Sequence, residues 1–183
     1  MARVLLLCTA NQCRSPMAEV LLRARRPTLE VQSAGRLPGG VPASPPAVQV
    51  VAERGLDLSK HRSQAATPEL VGASDLILGM AREHVRDAVL LRPEVRARAF
   101  PLKDLVRRGQ RVGPRPAGQS LDEWLAVAGA ERTTADLLGA AAADDVDDPI
   151  GRSTSRYRAC ADELDDLLAR LAALAFPSGS WGW

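Results

Sequence analysis

Residues 4–17 read Val-Leu-Leu-Leu-Cys-Thr-Ala-Asn-Gln-Cys-Arg-Ser-Pro-Met, an apolar run, a polar loop and a helix start in immediate succession. The run Val4–Leu7 has the character of a buried strand. Ser15 and Pro16 read as a capping hydroxyl followed by a proline in the first helical turn. Beyond them Met17, Val20, Leu21 and Ala24 recur at helical spacing, with Glu19 and Arg23 as a favourable i, i+4 pair. A cysteine, five residues and an arginine between a strand and a helix build a phosphate-binding thiolate. The backbone N–H groups of residues 9–14 (Thr9, Ala10, Asn11, Gln12, Cys13 and Arg14) can turn inward as an anion nest, with the helix N-terminus adding partial positive charge. Arg14 supplies a permanently charged planar fork that matches two phosphoryl oxygens. The same surroundings favour Cys8 as thiolate, below the free-thiol value of about 8.5.

Working outward, the chain repeats the strand-then-helix pattern. Residues 2–8 form the first expected strand, followed by a helix over 16–25. A second strand is expected over 29–33, ending at Ala34-Gly35. A proline- and glycine-rich loop follows over 37–46, then a helix over 46–54 closed by Gly55. Residues 75–79 (Asp-Leu-Ile-Leu-Gly) form a third strand, 81–91 a helix and 96–100 a short fourth strand. This alternation predicts an α/β fold, a four-stranded parallel sheet flanked by helices, with the phosphate-binding loop after the first strand. Ligands of such sheets sit at the carboxyl ends of the strands, where Cys8 lies. Segment 107–143 is less orderly: Gly109, Gly113, Pro114, Pro116 and Gly118 mark a loop, with helical pieces over 121–128 and 134–143. Residues 153–174 form a helix with Tyr157, Cys160, Leu164, Leu167, Leu168, Leu171 and Leu174 on one stripe. The expected organisation is one domain over 1–176, with 107–143 as an insertion and 177–183, including Trp181 and Trp183, as a flexible tail.

Composition narrows the classes of function. With 183 residues, 46% of them hydrophobic, the chain can bury one substantial core. The formal net charge is +2, from 24 basic and 22 acidic residues, which gives no long-range field for nucleic acid or an anionic membrane. No stretch approaches the roughly 20 apolar residues of a membrane span. The N-terminal run suits a first strand better than a signal peptide. Cys8, Cys13 and Cys160 make no extracellular disulfide pattern, so a cytoplasmic location is expected. His61 and His84 stand far from any Cys-x2-Cys pair, and His61 reads as an ordinary packed or exposed histidine, with a place near the loop as the alternative. No metal or cofactor is implied.

Cleavage of a phosphate ester by a thiolate leaves an oxyanion that needs a proton, and a carboxylic acid on a loop is the usual donor. Asp144, Asp145, Asp147 and Asp148 precede Pro149. Asp144 and Asp145 read as a solvated acidic loop or a helix stop. Asp148 is held extended by the following proline, with Asp147 as the fallback.

The loop Cys8-Thr9-Ala10-Asn11-Gln12-Cys13-Arg14-Ser15-Pro16, the Ser33-Ala34-Gly35 element and the late Asp148-Pro149 pair resemble the low-molecular-weight protein-tyrosine phosphatase family. The likeness runs over residues 2 to about 104 and again from 146 to about 175. It implies Cys8 as nucleophile, Arg14 as phosphate clamp and Asp148 as general acid and then general base. It further implies Ser15 as a hydrogen-bond donor to the Cys8 sulfur and Asn11 as a loop support, with Ser33 as its partner. Cys13 would be the second loop cysteine, able to form a reversible disulfide with Cys8 or simply a packing residue.

The reaction so implied is metal-independent hydrolysis of phosphoprotein monoesters, by default phosphotyrosine, through a cysteinyl-phosphate. The partner is then a phosphorylated protein or a small phosphate ester, with the oligomeric state left open. Departures from the pattern keep other readings in view. Ile150-Gly151 stands where tyrosine-directed members carry aromatic residues. Residues 36–42 lack the aromatic wall of eukaryotic members, for which Trp124 is a candidate replacement. Gln12 matches neither the aliphatic residue of tyrosine-directed members nor the threonine of bacterial arginine phosphatases. The alternatives are a protein arginine phosphatase, a thioredoxin-coupled arsenate reductase relaying through Cys160, and a non-catalytic phosphate-binding module.

Overall fold

The computed structural model describes residues 1–139 and 141–177. Four parallel strands, β1 (Arg3–Cys8), β2 (Glu30–Gly35), β3 (Leu76–Gly79) and β4 (Ala99–Pro101), form one sheet in the order β2-β1-β3-β4. In register, Cys8 pairs with Gly35, and Leu7 lies between Ala34 and Gly79. The period-2 alternation of a strand sends Val4, Leu6 and Cys8 to one face, where α1 (Arg14–Arg25), α2 (Pro45–Ala52), α5 (Leu102–Val112), α6 (Leu121–Ala128) and α7 (Thr154–Ala175) build the larger core. Leu5 and Leu7 face the smaller core under α3 (Pro68–Ala73) and α4 (Arg82–Leu91). Both faces are covered, which is why β1 is apolar without interruption rather than alternating.

Some boundaries differ from the sequence reading for physical reasons. Helix α1 begins at Arg14, two residues earlier than expected. Ser15 is not its cap but a buried first-turn residue; Cys13 occupies the cap position without a side-chain bond. The Ser15 hydroxyl is turned instead to the loop. On α1 the buried stripe is Met17, Ala18, Leu21 and Leu22, leaving Ala24 exposed. Residues 96–98 belong to a 3-10 turn, Pro93–Arg98, and only Ala99–Pro101 pair as β4. Of 134–143, only Thr134–Leu137 form a 3-10 turn; Ala140 and residues 178–183, with Trp181 and Trp183, lie outside the described residues.

The start of segment 107–143 is the largest departure. Leu102–Val112 is one helix, α5, and Gly109 sits inside it rather than in a loop. Its missing side chain is a packing requirement, since a Cβ there would come within 3.0 Å of the Trp124 ring. Trp124 is fully buried between α5 and α6, with its indole N–H donating to the Gly113 carbonyl at 3.0 Å. It therefore presents no face to a substrate and is not a replacement wall. The α7 stripe is buried as expected, Tyr157 and Cys160 included. Because Trp124 fills the junction of α5, α6 and α7, Trp124→Ala is expected to cost about 3–5 kcal/mol, read as a lower midpoint in denaturant at an unchanged slope.

Candidate active site

The chain leaves β1 at Cys8 and enters α1 at Arg14, so residues 9–13 must reverse direction in one tight loop above the strand ends. Asn11 makes the reversal. Its backbone is left-handed (φ +54°), a region that asparagine tolerates better than other side chains. The side chain then fixes the conformation from three sides. Asn11 Nδ2 donates to Ser15 Oγ at 2.9 Å and to Ser33 Oγ at 2.8 Å, while Oδ1 accepts the Gln64 N–H at 2.9 Å. Ser33 in turn donates to Glu19 at 2.5 Å, and Glu19 pairs with Arg23 at 2.8 Å. His61 takes the alternative place near the loop rather than that of an ordinary histidine, with Nε2 2.8 Å from the Asn11 carbonyl oxygen.

The end of β2 supports the same loop. The Thr9 carbonyl accepts N–H bonds from Arg36 (2.8 Å) and Leu37 (3.1 Å). A Cβ at Gly35 would lie 2.8 Å from the Thr9 carbonyl oxygen and 2.9 Å from the Asn11 nitrogen. The glycine of the Ser33-Ala34-Gly35 element is thus required by the close approach of the loop rather than by a special φ.

Within this frame Cys8 Sγ is 3.0 Å from the Ser15 hydroxyl and accepts the Asn11 N–H at 3.2 Å. Arg14 is buried. Its Nη2 donates to Asp148 Oδ2 at 2.5 Å and its Nη1 to the Val146 carbonyl at 3.1 Å. The Cys13 thiol donates to Asp148 Oδ1 at 3.6 Å. Burial, with the Cys8 sulfur and Asp148 nearby, holds Cys13 well above the ordinary thiol range, so it stays a protonated donor. Asp148 also accepts the Ile150 N–H at 3.1 Å and keeps 38% of its side chain exposed. Cys8, Arg14, Ser15, Asn11 and Asp148 therefore converge, whereas Asp147 is exposed. Thr9, Ala10 and Gln12 line the half-buried rim of the loop. Cys160 is buried on α7, where burial pushes its thiol up to about 12.

Two features escape the sequence reading. Asp144 is not solvated but buried, accepting from Arg82 Nε at 2.7 Å and Arg107 Nη2 at 2.8 Å. Asp145 accepts the Arg82 backbone N–H at 3.0 Å, and the Val146 N–H reaches the Met80 carbonyl at 2.8 Å. Both aspartates thus anchor the segment that carries Asp148 onto the end of β3 and the start of α4. Composition hides this, because a run of four aspartates gives no sign of which ones meet arginines from distant helices. The second feature is His84, 2% exposed, with Nε2 3.1 Å from Thr9 Oγ1. Burial, then Arg14 and Arg36, lower it to about 3, so it is neutral at physiological pH. Among the described residues no three His, Cys, Asp or Glu side chains gather to hold a metal ion.

The comparisons with known proteins agree with this geometry. A family model described as low molecular weight phosphotyrosine protein phosphatase matches residues 3–128. The chain is 42% identical over 103 residues to the probable low molecular weight protein-tyrosine-phosphatase EpsP of Ralstonia solanacearum, covering 56% of this chain and 71% of that protein. It is 32% identical over 173 residues to the protein-arginine-phosphatase of Geobacillus stearothermophilus, covering 93% of each. The crystal structure of a low molecular weight protein tyrosine phosphatase from T. tengcongensis superposes with a TM-score of 0.70 at 33% identity, over 93% of this chain and 97% of that one.

The anchor of the Asp148 segment has a pH signature. Burial opposes ionisation of Asp144, but the Arg107 and Arg82 hydrogen bonds outweigh it and hold the carboxyl below its usual value. Its contribution is therefore fully present above the unfolded value of about 3.9 and is lost as pH falls through the lower folded value. Asp144→Asn is expected to cost roughly 1–2 kcal/mol at neutral pH, less than a fully buried pair because Arg107 is half exposed. The difference from wild type should shrink as pH falls below about 4, checked by chemical unfolding across pH.

Proposed function

The chain belongs to the low molecular weight phosphotyrosine protein phosphatase family, and from that premise we propose that it hydrolyses phosphoprotein monoesters, phosphotyrosine by default, through a cysteinyl-phosphate. The observation that carries the reading is the convergence of Cys8, Arg14 and Asp148 over a loop held by Asn11. In the first step Cys8 Sγ attacks phosphorus while the backbone N–H groups of residues 9–14 and the Arg14 guanidinium bind the phosphoryl oxygens. The phosphoryl group takes over the Arg14 donors that now bond Asp148. The carboxylic acid of Asp148 then gives its proton to the departing oxygen. In the second step water attacks the phosphorus, Asp148 accepts its proton, and the sulfur leaves as thiolate. Ser15, 3.0 Å from that sulfur, stabilises the charge as it returns. Cys13, donating to the same carboxylate, and Arg14 together aim Asp148 over the loop. A cytoplasmic setting belongs to the same proposal and fits three unpaired cysteines.

A second reading, phosphoarginine as substrate, is favoured by the match across 93% of both chains to a protein-arginine-phosphatase. The partly exposed carboxylate of Asp148 beside the loop would face the guanidinium of such a substrate and donate the proton that the departing nitrogen needs. Among the exposed residues flanking the loop are the aliphatic Leu37 and Ile150, which can border a ring or a guanidinium stem.

Cys8→Ser and Arg14→Ala are expected to abolish turnover of an activated aryl phosphate, Cys8→Ser with little change in melting temperature; near-normal rates for Cys8→Ser would end the account. Asp148→Asn should slow esters with poor leaving groups by about 100-fold or more and activated aryl phosphates far less, whereas equal slowing would remove Asp148 from the acid role. Matched phosphotyrosine and phosphoarginine peptides decide the substrate class. A higher kcat/KM for phosphotyrosine supports the first reading, and a higher one for phosphoarginine supports the second.

A further inference from the structure

On the sheet face opposite the Cys8 sulfur lies a cavity of about 310 Å³. Of the loop residues only Cys8 borders it, and Leu7, which points to this face, forms part of its floor. Its walls are aliphatic, with Ala66 on one side and Ala88 and Leu91 of α4 on the other. Three polar side chains, Arg36, His84 and Asp87, break this lining.

Two of the three are under-satisfied. His84 is 2% exposed and spends Nε2 on Thr9, while its buried Nδ1 has no hydrogen-bond partner among the described residues. Asp87 Oδ2 is buried and also lacks a hydrogen bond there. Its nearest cation, Arg36 Nη1, stands 3.6 Å away and lies 3.9 Å from Glu83 as well. One guanidinium is thus shared between two carboxylates, Asp87 in the lining and Glu83 just outside it. An aliphatic cavity bordered by a carboxylate oxygen that makes no hydrogen bond matches a long side chain with a methylene stem and a cationic N–H head. A buried acceptor without its donor is a costly feature for a fold to keep.

The position of the cavity says what brings that side chain. Arg36 and Leu37 both bond the Thr9 carbonyl, and His84 bonds the Thr9 hydroxyl. Thr9 is therefore a single ridge between the phosphate loop and the cavity. A polypeptide whose phosphoryl group is in the loop crosses this ridge within about two residues, at roughly 3.5 Å per residue. We infer that the cavity receives a lysine or arginine side chain of the phosphoprotein substrate, located about two residues or fewer from the phosphorylated one, with Asp87 as its counter-charge. This rests on the phosphatase reading above and adds to it a sequence preference.

The test uses phosphopeptides of one scaffold, carrying whichever phospho-residue the enzyme turns over faster. They differ only in lysine, norleucine or glutamate at the positions flanking that residue. The lysine peptide is expected to exceed norleucine in kcat/KM by about five- to tenfold, and glutamate to fall below both. Asp87→Asn should bring the lysine-to-norleucine ratio close to one. Asp87→Lys should reverse the order toward glutamate, a gain that a merely damaged fold cannot produce. Equal kcat/KM for the three peptides, with an aryl phosphate still cleaved by wild type, would overturn the cavity assignment and leave the phosphatase reading standing. A lysine preference that survives Asp87→Asn would also overturn it. Failure of wild type to cleave either the aryl phosphate or any peptide would remove both readings together.

Discussion

The left-handed backbone of Asn11 is the constraint on which the rest of the site depends. A loop of five residues cannot return from a central strand into a helix on one face while turning its N–H groups inward unless one residue adopts that conformation. Asparagine supplies it together with the means of holding it: its amide is bonded to α1 through Ser15, to β2 through Ser33 and to the following segment through Gln64. The cost of the strained φ is spread over three elements of the fold, so the loop moves only if the strand ends move. Gly35 and Ser33 are the counterpart of this arrangement on β2. One makes room for the loop and the other fastens it.

A second support meets the first at Arg14. The segment 144–148 comes from far along the chain and has no regular structure, yet every residue but the exposed Asp147 is bonded. Asp144 meets two arginines, Asp145 the start of α4, Val146 both Met80 and Arg14, and Asp148 both Arg14 and Cys13. Backbone polar groups taken out of water require such partners, and here the partners also orient a carboxylate. In the proposed mechanism the acid and the phosphate clamp are therefore one assembly: the guanidinium that would bind the phosphoryl oxygens holds the Asp148 carboxylate.

Trp124 is occupied as a central packing residue of α5 and α6, and the residues bordering the loop include the aliphatic Leu37 and Ile150 together with Arg36, His61 and His84. In the proposed reading, discrimination between proteins would fall to surfaces beyond the phosphate loop, and the cavity behind Thr9 is the surface inferred for that role.

By itself the sequence determined the strand-loop-helix start and the parallel sheet, and it singled out Cys8, Arg14 and Asp148 as the candidates that the fold then brings together. These are local properties: hydrophobic runs, turn residues and residue types at fixed short spacing express themselves within a dozen positions. It also anticipated the Asn11–Ser33 contact, through resemblance rather than periodicity. The roles of Asp144, His61, Gly109 and His84 were decided only by the tertiary structure. Each looks ordinary in its own neighbourhood: an aspartate in an acidic run, a lone histidine, a glycine that reads as a turn. Their partners, Arg82 and Arg107, the Asn11 carbonyl, the Trp124 ring and the Thr9 hydroxyl, are brought to them by elements distant in the chain. Side-chain burial and pairing depend on those distances in space, and a linear pattern of polarity does not encode them.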